Sequence, residues 1–153
     1  MKVEFELNGK EKEFDVEPGK VLLDLLRESG YKSVKAGCKT GDCGACMVLV
    51  DGRAMTSCTL YAAQIDGKEI RTIEGLEDDL AERLKESLLD AGAVQCGFCI
   101  PGVLISAYSL LNKVENPSPE EIKAALDGNL CRCTGYVKQI EAIKETAKSL
   151  GGS

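Results

Sequence analysis

Eight cysteines fall into two compact sets of four in this 153-residue chain, with none left over. The first set is Cys38, Cys43, Cys46 and Cys58, spaced C-x4-C-x2-C-x11-C. The second is Cys96 and Cys99, spaced C-x2-C, followed by Cys131 and Cys133 as C-x-C. A chain that must bring each set to a common point has its loops constrained before any core is considered. Gly41 and Gly44 thread the stretch from Cys38 to Cys46. Glycine reaches positive φ cheaply, and without a Cβ it lets backbone N–H groups approach a sulfur.

Three close thiolates on one loop, with a fourth from elsewhere, is the plant-type spacing for a 2Fe–2S cluster. Structural zinc is the alternative. Four-cysteine zinc sites usually show two C-x2-C pairs, and in the first set only Cys43 and Cys46 form one. In the second set, the C-x-C thiolates would have to reach one ion from a very short loop. The spacing favours iron–sulfur and leaves a two-site structural zinc protein open. A disulfide scaffold is the third reading. The N-terminus, Met1-Lys2-Val3-Glu4-Phe5-Glu6, alternates charged and apolar residues and shows no apolar export core. In a reducing compartment such cysteines are more often metal ligands.

Composition narrows the function further. There is no histidine, which excludes histidine acid–base chemistry, Cys/His zinc sites and a Rieske-type centre. The net charge is −6 with no basic tract, which argues against nucleic acid or an anionic membrane as partner. No stretch approaches the roughly 20 apolar residues of a membrane span, so a cytoplasmic location is expected. At 44 % hydrophobic residues, the chain can bury the core of one domain or of two small ones.

The first half reads as a small α+β module. Val3, Phe5 and Leu7 alternate with charged residues, which predicts a half-buried strand. Asn8-Gly9 supplies a hairpin turn, with return through Phe14 and Val16. Leu22, Leu25 and Leu26 predict a short helix ended by Ser29-Gly30. Strands are expected over 47–50 and 53–56 around the Asp51-Gly52 turn, and again over 69–73. A sheet curled on one helix in this way is consistent with a β-grasp arrangement.

The pattern changes near Glu74-Gly75. Leu76, Leu80, Leu84 and Leu88 recur every four residues, and Gly92 is a natural stop. Pro101 suits the first turn of a helix that is apolar nearly all round from Val103 to Val114. Ser118-Pro119-Glu120-Glu121 is a capping box opening a third helix to Leu126. A fourth helix is expected from Val137 to Leu150, with Ile140, Ile143 and Ala147 on one face. The two halves of the second cysteine set fall just before the second and fourth of these helices. Orphan N–H groups at helix N-termini are expected there to stabilise a negatively charged cluster.

Gln95-Cys96-Gly97-Phe98-Cys99-Ile100-Pro101-Gly102 and Asn129-Leu130-Cys131-Arg132-Cys133-Thr134-Gly135-Tyr136, in order after the first cysteine loop, closely resemble the iron–sulfur subunit of the molybdenum hydroxylases. That is the xanthine dehydrogenase, aldehyde oxidoreductase and carbon monoxide dehydrogenase family, and the resemblance spans essentially the whole chain. It implies an N-terminal β-grasp 2Fe–2S ferredoxin-like domain over residues 1–74 and a C-terminal four-helix-bundle 2Fe–2S domain over 75–153. Carried over position by position, Cys38, Cys43, Cys46 and Cys58 ligate the cluster nearer a flavin. Cys96, Cys99, Cys131 and Cys133 ligate the one nearer a molybdopterin. The resemblance also gives Gln95 a hydrogen bond to that pterin, with Cys133 beside it; a buried amide satisfying local backbone is the structural alternative. Lys39 and Thr40 stand where the family loop is often richer in glycine and acidic residues, and the Lys39 charge bears on the potential of the first cluster.

The implied function is electron transfer within a hydroxylase. Electrons come from a molybdopterin-binding large subunit and leave to an FAD-binding medium subunit, in a heterotrimer or a dimer of heterotrimers. The chain itself holds no catalytic residue. A free-standing ferredoxin-like carrier is the nearest alternative, although a shuttle needs only the first module.

Overall fold

Charged residues alternating with Val3, Phe5 and Leu7 drive one face of strand β1 (Lys2–Leu7) inward, and each of the three is at most 1 % exposed. The structure is a computed structural model that describes residues 1–151. Asn8 and Gly9 both take positive φ, 52° and 80°, as the tightest hairpin turn requires, and return the chain as β2 (Lys10–Asp15). Helix α1 (Leu22–Glu28) buries Leu22, Leu23, Leu25 and Leu26 against the sheet. A second hairpin, β3 (Met47–Val50) and β4 (Arg53–Thr56), turns at Asp51-Gly52. Strand β5 (Glu69–Arg71) then slots between β1, to which it is parallel, and β3. The sheet order is β2-β1-β5-β3-β4.

Strand β5 is shorter than the periodicity predicts. The Thr72 N–H turns to the Asn8 side chain at 2.8 Å, and Ile73–Gly75 tighten into a 3-10 turn. The leucine repeat after it also starts later than expected. Asp78 caps helix α2 (Asp79–Asp90) by accepting the Ala81 N–H at 2.9 Å, so Leu76 packs from the linker rather than from the helix.

Helix α3 (Ile100–Lys113) begins with Pro101 in its first turn and buries every residue from Gly102 to Ser109. It is the central helix, as its all-round apolar sequence demands. The Ser118 capping box forms at the start of α4 (Pro119–Leu126), with Glu121 N–H donating to Ser118 Oγ at 3.2 Å and Ser118 N–H to Glu121 Oε2 at 2.7 Å. Helix α5 (Val137–Leu150) packs along α2 and completes the bundle.

Two apolar cores result, and β3 faces both. Val48 and Val50 join the core under α1, while Leu49 joins the core around α3. A strand buried on both sides reads as the continuous run Met47-Val48-Leu49-Val50 rather than as an alternation. No helix among the described residues is long and apolar enough to cross a membrane.

Candidate metal centres

The first cysteine loop is shaped around sulfur. The Cys38 Sγ accepts backbone N–H groups from Thr40 at 3.3 Å, Asp42 at 3.3 Å and Cys43 at 3.4 Å. The Cys43 Sγ takes the Ala45 N–H at 3.5 Å. Positive φ at Lys39 (60°), Gly41 (86°) and Gly44 (72°) lets consecutive N–H groups curl toward one side. Hydrogen bonds from Thr40 and then Cys43 pull the Cys38 thiol down to about 5, so this sulfur is built to be a thiolate.

Cys58 arrives from the 3-10 turn Ser57–Thr59 after β4. Buried Ser57 pins that turn to the loop, its hydroxyl donating to the Cys46 carbonyl at 2.7 Å. Burial, then the adjacent Cys46 thiol, push Cys58 up to about 11, and Cys38 adds to the effect. Mutual influence of this kind requires the thiols to converge.

The second set converges in the same manner. Burial and then the neighbouring Cys131 raise Cys99 to about 11, with Cys96 contributing. Burial alone would also raise Cys131, but hydrogen bonds from Thr134 and the Cys133 backbone outweigh it and bring it to about 7. The sulfurs of Cys96 and Cys133 lie 3.6 Å apart, far beyond a disulfide bond, and all eight cysteines are free thiols. The hydrogen-bond donors at these sulfurs include the Thr134 hydroxyl, 3.2 Å from Cys131 Sγ, and the Gln139 amide, 3.5 Å from Cys99 Sγ. They come from the loop and from inside α5, where the sequence pointed to helix N-termini.

Thr134, Gly135 and Tyr136 each do local work that spacing alone did not reveal. Gly135 and Tyr136 take positive φ, 71° and 73°. The Tyr136 hydroxyl thereby folds back to accept the Cys131 N–H at 2.8 Å, and its own N–H reaches Thr134 Oγ1 at 3.2 Å.

A joint no local pattern announced holds the two cysteine loops together. The Leu130 N–H donates to the Cys43 carbonyl at 2.9 Å. Buried Asn129 donates to the Gly44 carbonyl at 3.3 Å and accepts the Ser106 hydroxyl at 2.6 Å. The approach is so close that a Cβ on Gly44 would lie 2.1 Å from the Gly128 carbonyl oxygen, and one on Gly102 would lie 2.1 Å from the Gly44 carbonyl oxygen. Phe98 lies across the same joint, its ring within 3.6 Å of where a Gly37 Cβ would sit.

Cys46 is buried, whereas Cys96 and Cys133 are exposed at the outer edge of the second set. Gln95 lies exposed on that edge, not buried as a purely backbone-satisfying amide would be, and donates from Nε2 to the Cys133 carbonyl at 3.1 Å. Phe98, Leu130 and Val137, each within four residues of one of these cysteines in sequence, expose apolar surface. On the first loop, Lys39 Nζ pairs with Asp24 at 3.1 Å, so the cation is partly neutralised.

The donor chemistry fits a cluster in each set. Four thiolates at close quarters repel, and bound iron supplies the positive charge that holds them. Among the described residues no three Cys, Asp or Glu side chains group to hold one metal ion. A 2Fe–2S cluster would need only two of a set's four thiolates at each iron.

Comparison with known proteins agrees. Residues 5–72 match the family model described as a 2Fe-2S iron-sulfur cluster binding domain, and residues 72–144 match the one described as a 2Fe-2S binding domain. The chain is 48 % identical over 144 residues to the nicotinate dehydrogenase small FeS subunit of Eubacterium barkeri, covering 93 % of this chain and 92 % of that one. It is 44 % identical over 150 residues to the xanthine dehydrogenase iron-sulfur-binding subunit of Escherichia coli O157:H7, covering 96 % and 94 %. Among solved structures, quinoline 2-oxidoreductase from Pseudomonas putida 86 superposes with a TM-score of 0.91 at 41 % identity, over 100 % of this chain and 97 % of that one. The mixed sheet, the helical bundle and the two matched models bear out the α+β expectation. The relatives are subunits of larger oxidoreductases, and this chain likewise works with partners, as a carrier of electrons through two 2Fe–2S clusters. It belongs to the iron–sulfur small subunits of the molybdenum hydroxylase family, of the xanthine dehydrogenase and aldehyde oxidoreductase type.

Proposed function

We propose that Cys38, Cys43, Cys46 and Cys58 hold one cluster and Cys96, Cys99, Cys131 and Cys133 the other, with the chain dividing near residues 74 and 75 into the two units that carry them. When bound, the clusters supply one-electron transfer between a molybdopterin centre on a large partner subunit and an FAD on a medium one, in a cytoplasmic heterotrimer or dimer of heterotrimers.

The observation that carries this reading is the hydrogen bond from the Leu130 N–H to the Cys43 carbonyl. It connects a proposed ligand of one cluster, through a single hydrogen bond and one peptide, to Cys131 of the other. Asn129 and the two close-packed glycines, Gly44 and Gly102, hold that joint, which favours a fixed spacing between the sites. The exposed edge of Cys96, Cys133 and Gln95, with exposed apolar Phe98, Leu130 and Val137 near these cysteines in sequence, suits docking of the pterin-bearing partner. Relatives named for nicotinate, xanthine and quinoline support a nitrogen heterocycle as the substrate of the assembly, hydroxylated in the partner's pocket.

Anaerobic affinity purification of the chain from its native cells, assayed for molybdenum, flavin and iron, tests the reading. Two larger chains carrying molybdopterin and FAD are expected, with about four irons per copy of this subunit. Iron without molybdenum or flavin would favour a free-standing carrier, and zinc in place of iron would remove the redox role.

A further inference from the structure

Helix α5 turns Gln139, Ala142, Ile143, Thr146 and Ala147 inward, and Gln139 is fully buried. The other polar side chain on that face, Thr146, is satisfied by the Ala142 carbonyl at 2.9 Å. Gln139 is only half satisfied. Its Oε1 is the one buried side-chain oxygen or nitrogen without a hydrogen-bond partner among the described residues. An orphan of this kind carries its full desolvation cost. Leucine, isoleucine or methionine at this position would avoid the cost, so the amide needs a reason to be there.

The reason lies at its other end. Nε2 points at Cys99 Sγ, 3.5 Å away. Turning the amide over would set an oxygen acceptor against a ligand sulfur that carries negative charge. The donor therefore faces the sulfur, and the orphaned oxygen is the consequence. We propose that Gln139 is a tuning residue of the second cluster, donating to the Cys99 sulfur and so favouring the reduced state of the centre that Cys99 ligates. The physical cause is general. Reduction adds negative charge that spreads onto the sulfurs, and an N–H aimed at one of them stabilises it, raising the reduction potential. Cys38 receives three backbone donors in the first set, whereas at Cys99 this task falls to a side chain that one substitution can remove.

The inference rests on Cys99 being a ligand. The test is an EPR-monitored redox titration of the intact holoprotein, wild type against Gln139→Met, which keeps length and loses the donor. The cluster held by Cys99 is identified by the signal that Cys99→Ser alters. At the wild-type midpoint of that cluster, its reduced-to-oxidised ratio is expected to fall about threefold or more in Gln139→Met, about 28 mV at 59 mV per tenfold change. The other cluster should stay put and the iron content be unchanged. An unmoved midpoint, or an equal shift of both clusters, would overturn the inference. Should Gln139→Met fail to load the second cluster, Gln139→Leu decides. Its side chain likewise offers no donor, so the same midpoint must again fall, and a constant value overturns the proposal. Wild-type protein lacking two 2Fe–2S signals would instead bring down the ligand assignment beneath it, a result visible before any variant is made.

Discussion

Asn129 and Gly44 stand 85 positions apart in sequence, yet the Asn129 side chain donates to the Gly44 carbonyl at 3.3 Å from a fully packed site. With the Leu130 N–H on the Cys43 carbonyl, this contact fixes one cysteine loop on the other. The spacing between the two loops is thus set by one backbone hydrogen bond and one buried side-chain amide.

Removing that amide should be costly. Asn129→Ala removes one hydrogen bond from the Gly44 carbonyl, which keeps the Met47 N–H at 3.3 Å, and one from the Ser106 hydroxyl, which keeps Met47 Sδ at 3.6 Å. Two buried hydrogen bonds lost predicts about 1–3 kcal/mol in urea unfolding of the holoprotein. A change below about 0.5 kcal/mol, the range of ordinary surface substitutions, would show that the joint does not depend on Asn129.

Gly102→Ala sets two effects against each other. Alanine is the better helix former by about 1 kcal/mol, and Gly102 lies in the first turn of α3. Its Cβ, however, would sit 2.1 Å from the Gly44 carbonyl oxygen, a backbone atom that cannot swing aside. Net destabilisation of about 1–3 kcal/mol is expected from the forced separation of the loops. A stabilised variant in thermal unfolding would mean that the close approach is slack.

The charge beside the first cysteine loop can be unmasked without touching a cysteine. Lys39 Nζ pairs with Asp24 at 3.1 Å on the surface. Asp24→Asn leaves the Lys39 cation unopposed next to Cys38, which should raise the potential of the first cluster and leave the second unchanged. Because the pair is exposed, the shift should shrink as salt shortens the screening length from about 10 Å at 0.1 M to about 3 Å at 1 M. Redox titrations at the two salt concentrations check both the sign and the screening.

A pH effect is expected where the linker meets the first half. Burial pushes the Glu74 carboxyl up, but hydrogen bonds from the Ser33 and Thr72 hydroxyls outweigh it, so it lies below its ordinary value of 4.5. A carboxyl depressed in the folded state contributes stability that is present above the ordinary value and lost as pH falls through the folded one. Glu74→Gln should therefore be less stable than wild type at pH 7, with the gap closing as the pH drops below about 4.5. A gap independent of pH would assign the contribution to shape rather than charge.

Much of this was legible beforehand because it is local. Cysteine spacing, the Asn8-Gly9 turn, the Ser118 capping box and the apolar girth of α3 each depend on neighbours within a few residues. Strand β5 ended early because Asn8, 64 positions away, takes the Thr72 N–H. Gly102 reads as an ordinary helix residue, since what makes glycine necessary there is the Gly44 carbonyl from the other half of the chain. Gln139 was missed for a related reason. The stripe of Ile140, Ile143 and Ala147 suggested one face of α5, but the buried face is centred a residue earlier, and a polar residue on it carries no sequence signal of the sulfur it meets.

Iron content together with EPR of the reduced protein, wild type against Cys131→Ala, bears most directly on the claim that each set of four cysteines holds its own cluster. Wild type should bind about four irons per chain and show two 2Fe–2S signals. Cys131→Ala should lose the signal of the helical half and about two irons, while the signal of the ferredoxin-like half remains. Zinc in wild type, or both signals surviving in Cys131→Ala, would contradict the assignment of these eight cysteines to two clusters.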